Sequence, residues 1–181
     1  YVKNLHPEVA AAVDAAVRRL QDLGAHVEAV DPGFEDPLEI TTGLWFSGAW
    51  TIWNSLTEAQ QAVADPDFAA EAQLGSRISA LELQRLALRR GALGSHMRQF
   101  MTRYDLLVTP TVAIPAFEAR PPGQAPMDPF SLLGWTPYSF PFNLTQQPAI
   151  TVPCGLTKAG LPIGLQLVGP MFCDALVLRA A

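Results

Sequence analysis

The sequence predicts an α/β fold, and three observations predict it. A helix-period segment, Pro7 to Gly24, is followed at once by an alternating segment, His26 to Val30, and a helix feeding a strand points to layered α/β architecture. A continuous apolar run, Asp105 to Thr109, reads as a strand covered on both faces. Two further strands, Ala149–Val152 and Ile163–Val168, flank a connection, Gly155 to Gly160, with turn chemistry at both ends.

Each element has a local reason. Pro7 suits the first turn of a helix, where its missing N–H costs nothing. Val9, Val13, Ala16, Val17 and Leu20 recur at helical spacing, and Gly24 caps the end. His26 to Val30 alternates polar and apolar residues, and Asp31-Pro32-Gly33 is a turn. Leu38 to Val63 reads as helical. It carries Leu44, Trp45, Phe46, Ala49, Trp50, Ile52 and Trp53, apolar nearly all round, as in a helix buried on several sides or facing a partner. Asp65-Pro66-Asp67 and Gly75-Ser76 mark breaks. From Ser79 to about Tyr104 runs a second long amphipathic helix, with Ser79 and Glu82 spaced as a capping box. Gly91 and Gly94 mark a kink or a close helix contact within it. Pro115 to Pro148 is rich in Pro, Gly and aromatics with little periodicity, which points to a functional stretch or to short helices. Cys173 to Ala181 reads as a helix.

Composition narrows the class of function. The chain has 181 residues, a net charge of −5, 49% hydrophobic and 16% charged residues. The hydrophobic share excludes a disordered chain. Two cysteines, Cys154 and Cys173, exclude a disulfide scaffold. The acidic balance argues against a nucleic-acid binder held by phosphate contacts. Charged residues fall below the usual share of about 25%, so a partner is expected to cover part of the surface. Ala149 to Val168 is broken by Pro153, Gly155, Lys158, Gly160, Pro162 and Gly164, so no spanning helix is expected there. No signal-peptide pattern opens the chain, and a cytoplasmic location is expected. Tyr1 reads as a cut edge, with a processed beginning as the alternative.

No catalytic set holds together on residue spacing alone. Ser95 and His96 are adjacent on a helix and point in different directions, so they are no nucleophile–base pair. His6, His26, His96 and the cysteines lack metal-ligand spacing, so no metal and no cofactor are expected. No G-x-S-x-G elbow and no Gly-rich phosphate loop occur. Gln166 alternates with apolar neighbours and is read as making a structural hydrogen bond.

The C-terminal stretch is more specific. Phe142-Asn-Leu-Thr-Gln-Gln-Pro-Ala-Ile-Thr-Val-Pro-Cys-Gly155 and Gly160-Leu-Pro-Ile-Gly-Leu-Gln-Leu-Val-Gly169 resemble the closing blocks of the amidase signature family. Tyr104-Asp-Leu-Leu-Val-Thr-Pro-Thr111 resembles a third landmark upstream, and the Pro7–Val30 unit resembles the entry to the family's second half. The resemblance covers essentially the whole chain.

The resemblance implies the amidase-signature fold, a mixed β-sheet flanked by helices. It also implies metal-free cleavage of carboxamides by a Lys–Ser–Ser triad through an acyl-enzyme. Backbone N–H groups of a Gly/Ser-rich loop would stabilise the oxyanion. The chain departs from that pattern. Its only lysines are Lys3 and Lys158, in neither the lysine nor the serine motif, and it has no Ser-Ser dipeptide. Residues 1–181 are therefore expected to be the C-terminal portion of a single amidase-signature domain whose N-terminal catalytic portion is absent. No catalytic residue is carried over, and the chain alone is expected to be inactive.

The resemblance implies that this portion walls the acyl pocket, with Trp45, Phe46, Trp135, Tyr138, Phe140 and Phe142 as substrate-binding positions. Asn143 and Gln147 are expected to brace the loop. Glutamine-using relatives carry an acid shortly before the Asn-Leu pair. Leu132 to Phe142 has none, and Thr136 falls near that place, which favours an apolar or aromatic acyl group. The implied partners are a small-molecule amide substrate and the N-terminal half of the fold, with no nucleic acid and no membrane. Uncovered sheet edges and apolar faces are expected to promote homo-oligomers. The alternative is a non-catalytic binding module that pairs with a separate catalytic chain.

Overall fold

The structure of the protein is a computed structural model that describes residues 2, 4–119 and 133–181. Tyr1, Lys3 and positions 120–132 of the Pro115–Pro148 stretch lie outside the described residues. The chain forms two compact units: residues 1–35, 93–118 and 135–181 make the first, and residues 36–92 and 119–134 the second.

In the first unit, helix α1 spans Pro7–Asp22. Pro7 opens it, the His6 side chain accepts from the Glu8 N–H at 3.3 Å, and Gly24 follows its end at φ +97°. That is a backbone conformation glycine adopts without Cβ strain. Strands β1 (Leu107–Pro110), β2 (Ala149–Leu156) and β3 (Pro162–Val168) form a sheet in the order β1-β3-β2, and both pairings are antiparallel. The inner stripe of α1 packs on β3: Val9, Val13, Ile163, Leu165 and Leu167 form a buried cluster. Helical and strand periods thus place apolar residues on one shared face, the main source of the unit's stability.

The α/β class holds, with two differences from the expected sheet. Among the described residues the three strands pair only antiparallel, and the mixed character expected of the sheet is not seen there. His26–Val30 is not a strand: it is exposed and has no ladder partner among the described residues. Side-chain alternation sets which face a strand would bury, but a strand exists only where a neighbour takes its N–H and C=O groups. The segment is held by side chains instead. The Tyr104 hydroxyl donates to Glu28, and His96 Nε2 donates to the Pro32 carbonyl at 2.6 Å.

In the second unit, α2 (Leu38–Trp53) and α3 (Glu58–Ala62) replace the single helical run expected over Leu38–Val63, and α4 (Pro66–Gly75) lies between the two expected breaks. The break is a capping box: Thr57 Oγ1 accepts from the Gln60 N–H, and Gln60 Oε1 accepts from the Thr57 N–H. Asp65 caps α4 and Pro66 begins it. Helix α5 spans Ala80–Phe100 without interruption, and Ser79 Oγ accepts from the Glu82 N–H at 3.1 Å. A Cβ on Gly91 would meet nothing within 4 Å, so no close contact explains that glycine. Leu93–Phe100, the end of α5, belongs to the first unit and leads into a short 3₁₀ turn, Met101–Arg103. The first unit is completed by α6 (Phe140–Thr145) and α7 (Asp174–Ala180). No described helix is long and apolar enough to cross a membrane.

Candidate functional site

The first unit contains a cavity of about 340 Å³. Its walls come from three places: the extended segment with Val30 and Phe34, strand β1 with Leu107 and Thr109, and the approach to α6 with Tyr138 and Phe142. The lining is almost evenly polar and apolar, with Asp31, Thr109 and Tyr138 among its residues. Asp31 Oδ1 accepts from the Gly33 N–H at 2.8 Å, which fixes the turn at the rim. Burial pushes the Tyr138 phenol above its ordinary value, because the anion would lose hydration in this setting.

Buried polar groups hold the walls. Gln166 on β3 donates to Thr109 Oγ1 at 2.9 Å and to the Tyr138 carbonyl at 2.8 Å. Ser139 Oγ donates to the Thr111 carbonyl at 2.8 Å, and the Ala113 N–H donates to the Trp135 carbonyl at 3.2 Å. The segment before α6 is therefore tied to β1 and the residues after it at several points, although it contains no strand.

Of the eight positions singled out in the sequence, the cavity brings together Tyr138 and Phe142. Phe140 is buried in α6. Trp135 is half-buried and meets Phe117 edge-on, with ring centroids 5.6 Å apart. Its indole N–H is buried with no partner among the described residues. Gln147 is buried, accepting from Thr145 Oγ1 at 3.0 Å and donating to the Gly169 carbonyl at 3.2 Å. It links the end of α6 to the end of β3. Asn143 is exposed on α6, and its side chain bonds no described residue. Trp45 and Phe46 lie on α2 in the second unit: Phe46 is buried, while Trp45 is 56% exposed and donates its indole N–H to Glu71 Oε2 at 2.8 Å.

Thr109 and Val30 were not among the expected site residues. Thr109 stands in the Tyr104–Thr111 landmark and Val30 closes the Pro7–Val30 unit, but neither landmark singles out one residue as lining a cavity. Among the described residues no group of three or more His, Cys, Asp or Glu side chains is placed to hold a metal ion. Cys154, half-buried beside the α1–β3 core, has its thiol pushed up by burial, away from the thiolate a nucleophile requires.

Known proteins resemble this chain throughout its length. It is 32% identical to an acylamidase of Rhodococcus erythropolis over 184 residues, covering 98% of this chain and 38% of the relative. It is 30% identical to a glutamyl-tRNA(Gln) amidotransferase subunit of Myxococcus xanthus over 211 residues, covering all of this chain and 42% of the relative. The crystal structure of a bacterial aryl acylamidase of the amidase signature family superposes with a TM-score of 0.80 at 26% identity, over 98% of this chain and 39% of that one. The chain thus spans about two fifths of the length of these relatives. The Amidase family description matches residues 1–178. With its ordered C-terminal blocks, its helix-and-sheet fold and this match over nearly every residue, the chain belongs to the amidase signature family.

Proposed function

We propose that this chain is the acyl-selecting part of a carboxamide hydrolase and that the lysine and two serines that cleave the amide stand on other polypeptide. The observation that carries the reading is the cavity in which Tyr138 and Phe142 stand with Leu107 and Phe34. Its volume, about 340 Å³, lies within the range of small-molecule pockets, roughly 300–1,000 Å³. The absence of a Ser-Ser dipeptide, with Lys3 and Lys158 as the only lysines, supports placing the triad elsewhere. On this reading a serine oxygen attacks the amide carbon and its proton passes through the second serine to the lysine; the C–N bond breaks as that proton returns to the departing amine, and water then hydrolyses the acyl-enzyme to the carboxylic acid and free serine.

The preferred acyl group is apolar or aromatic. Leu132 to Phe142 offers no carboxylate to hold an amino group, and one relative is an acylamidase. Trp45, with its indole exposed, and Trp135 are proposed to add aromatic contacts in the complete protein. Phe46 and Phe140, both buried, act by keeping α2 and α6 in shape. Gln147 braces the loop from within, and Asn143, exposed on α6, is proposed to brace it in the complete protein. Residues 1–181 then form the C-terminal portion of a single domain, with the N-terminal half of the fold as partner.

Two assays test this. The 181-residue chain alone should not hydrolyse amides with an aromatic acyl group, such as benzamide. Hydrolysis by it, abolished by a substitution within it, would overturn the reading. A longer polypeptide that supplies the lysine and a Ser-Ser-Gly-Gly segment should cleave aromatic amides faster than glutamine; the reverse order would overturn the substrate preference. The missing triad equally favours a non-catalytic module that binds a separate catalytic chain. Coding sequence in frame upstream of Tyr1 that encodes the lysine and serines decides for the hydrolase.

A further inference from the structure

Gln166 stands on the middle strand of the sheet and is 5% exposed. A primary amide has two N–H donors. Both are used: one meets Thr109 Oγ1 at 2.9 Å, the other the Tyr138 carbonyl at 2.8 Å. The Thr109 hydroxyl donates to the Pro110 carbonyl at 2.9 Å, so toward Gln166 its oxygen can only accept. The direction of every bond in the set is fixed. Gln166 does not line the cavity, whereas Thr109 and Tyr138 both do. Its single amide nitrogen ties together two residues that do line it, one on β1 and one on the approach to α6.

We propose that Gln166 is the positioning residue of this cavity, locking the Tyr138 wall to the Thr109 wall and so setting a width that admits a flat aromatic acyl group. The assignment of the acyl group rests on the pocket reading above; the locking does not. With no strand ladder to hold it, the segment before α6 keeps its place through a few separate bonds, those of Trp135 and Ser139 and, at Tyr138 itself, the one from Gln166. Removing the amide leaves the Tyr138 carbonyl without its donor and lets the wall move toward water.

The test uses the 181-residue chain with its tyrosines labelled at Cζ. In Gln166→Met, a change that keeps volume and removes both donors, the Tyr138 phenol should titrate at lower pH than in the unaltered chain. Tyr104, raised first by its bond to Glu28 and then by burial, should keep its titration. An unmoved Tyr138 overturns the proposal. If both tyrosines fall, the variant has lost its fold, and the unaltered chain decides. There the Gln166 side-chain hydrogens should exchange with solvent more slowly than those of exposed Asn143; equal rates overturn the proposal. Benzamide is the ligand probe: it should shift the Tyr138 and Phe142 signals, and Gln166→Met should weaken its binding roughly tenfold. If benzamide shifts neither signal while Tyr138 still responds to the substitution, the positioning role is supported and the acyl-pocket reading is overturned.

Discussion

Gly164 on β3 shows how much one missing methyl can decide. A Cβ there would stand 2.7 Å from both Thr111 Oγ1 and Thr151 Cγ2. The Thr111 N–H donates to the Gly164 carbonyl at 3.0 Å, so the chain after β1 cannot swing away without losing a backbone bond. Gly164→Ala should therefore cost about 1–3 kcal/mol, the usual penalty for overpacking. It should appear as a lower urea midpoint at unchanged slope; an unchanged midpoint would show that the threonines yield freely. Tyr138 gives a second prediction at this scale. Burial raises its phenol in the folded state, so between the unfolded and folded values the unfolded chain has lost a proton that the folded chain keeps. Stability is fully present below the ordinary tyrosine value of about 10 and falls as pH rises through the folded value. Urea midpoints measured upward from pH 9 should decline, and Tyr138→Phe should remove part of that decline. An identical decline in Tyr138→Phe would assign it to other groups.

The α2–α4 pair makes an element-scale prediction with an internal control. A Cβ on Gly75 would lie 1.9 Å from the Phe46 carbonyl oxygen and 2.9 Å from Trp50 Cβ, so the obstacle includes backbone. One turn earlier, Glu71 accepts the Trp45 indole N–H and fixes the same pair of helices. Gly75→Ala should force them apart and cost about 3 kcal/mol. Gly91, exposed in α5 with nothing within 4 Å of a Cβ, should behave oppositely. Gly91→Ala should gain roughly 0.5–1 kcal/mol from helix propensity alone. Fluorescence of Trp45, Trp50 and Trp53 reports both in urea, and equal effects would refute the packing argument. These elements also show what a sequence discloses. Pro7, Asp65-Pro66 and Ser79 are local signals, and helices begin beside each of them. His26–Val30 had the pattern of a strand without a partner, and pairing is not a local property. Tyr138 and Phe142 were legible because they stand beside the Asn-Leu-Thr block. Gln166 was legible as a structural hydrogen-bonding residue, but its partners were not, since they stand 57 and 28 positions away. Composition cannot rank such tertiary bonds among a chain's many polar residues.

At the scale of the whole molecule, few charges and many exposed apolar side chains set how it behaves in solution. Net charge −5 gives only weak mutual repulsion between copies, and 16% charged residues leave apolar surface uncovered. Strand β2 is a long edge, but Pro153 and a bulge between Pro153 and Gly155 interrupt its ladder there, which blunts edge-to-edge pairing. Apolar faces should therefore dominate association. Phe172 is the sharpest of them: it is 89% exposed and sits at φ +67°, a region a bulky side chain occupies at a cost. Surface placement gives that side chain no packing to repay the strain. The chain should thus associate as its concentration rises, with little dependence on salt, because screening acts on charges and not on apolar contact. Sedimentation velocity over a concentration series at low and high salt measures this. Phe172→Asn should lower the association, since it removes the ring, and should hold or raise the thermal midpoint, since asparagine tolerates a left-handed backbone. A monodisperse monomer of high thermal stability throughout the series would mean that these faces need no cover, and would count against reading the chain as part of a larger fold.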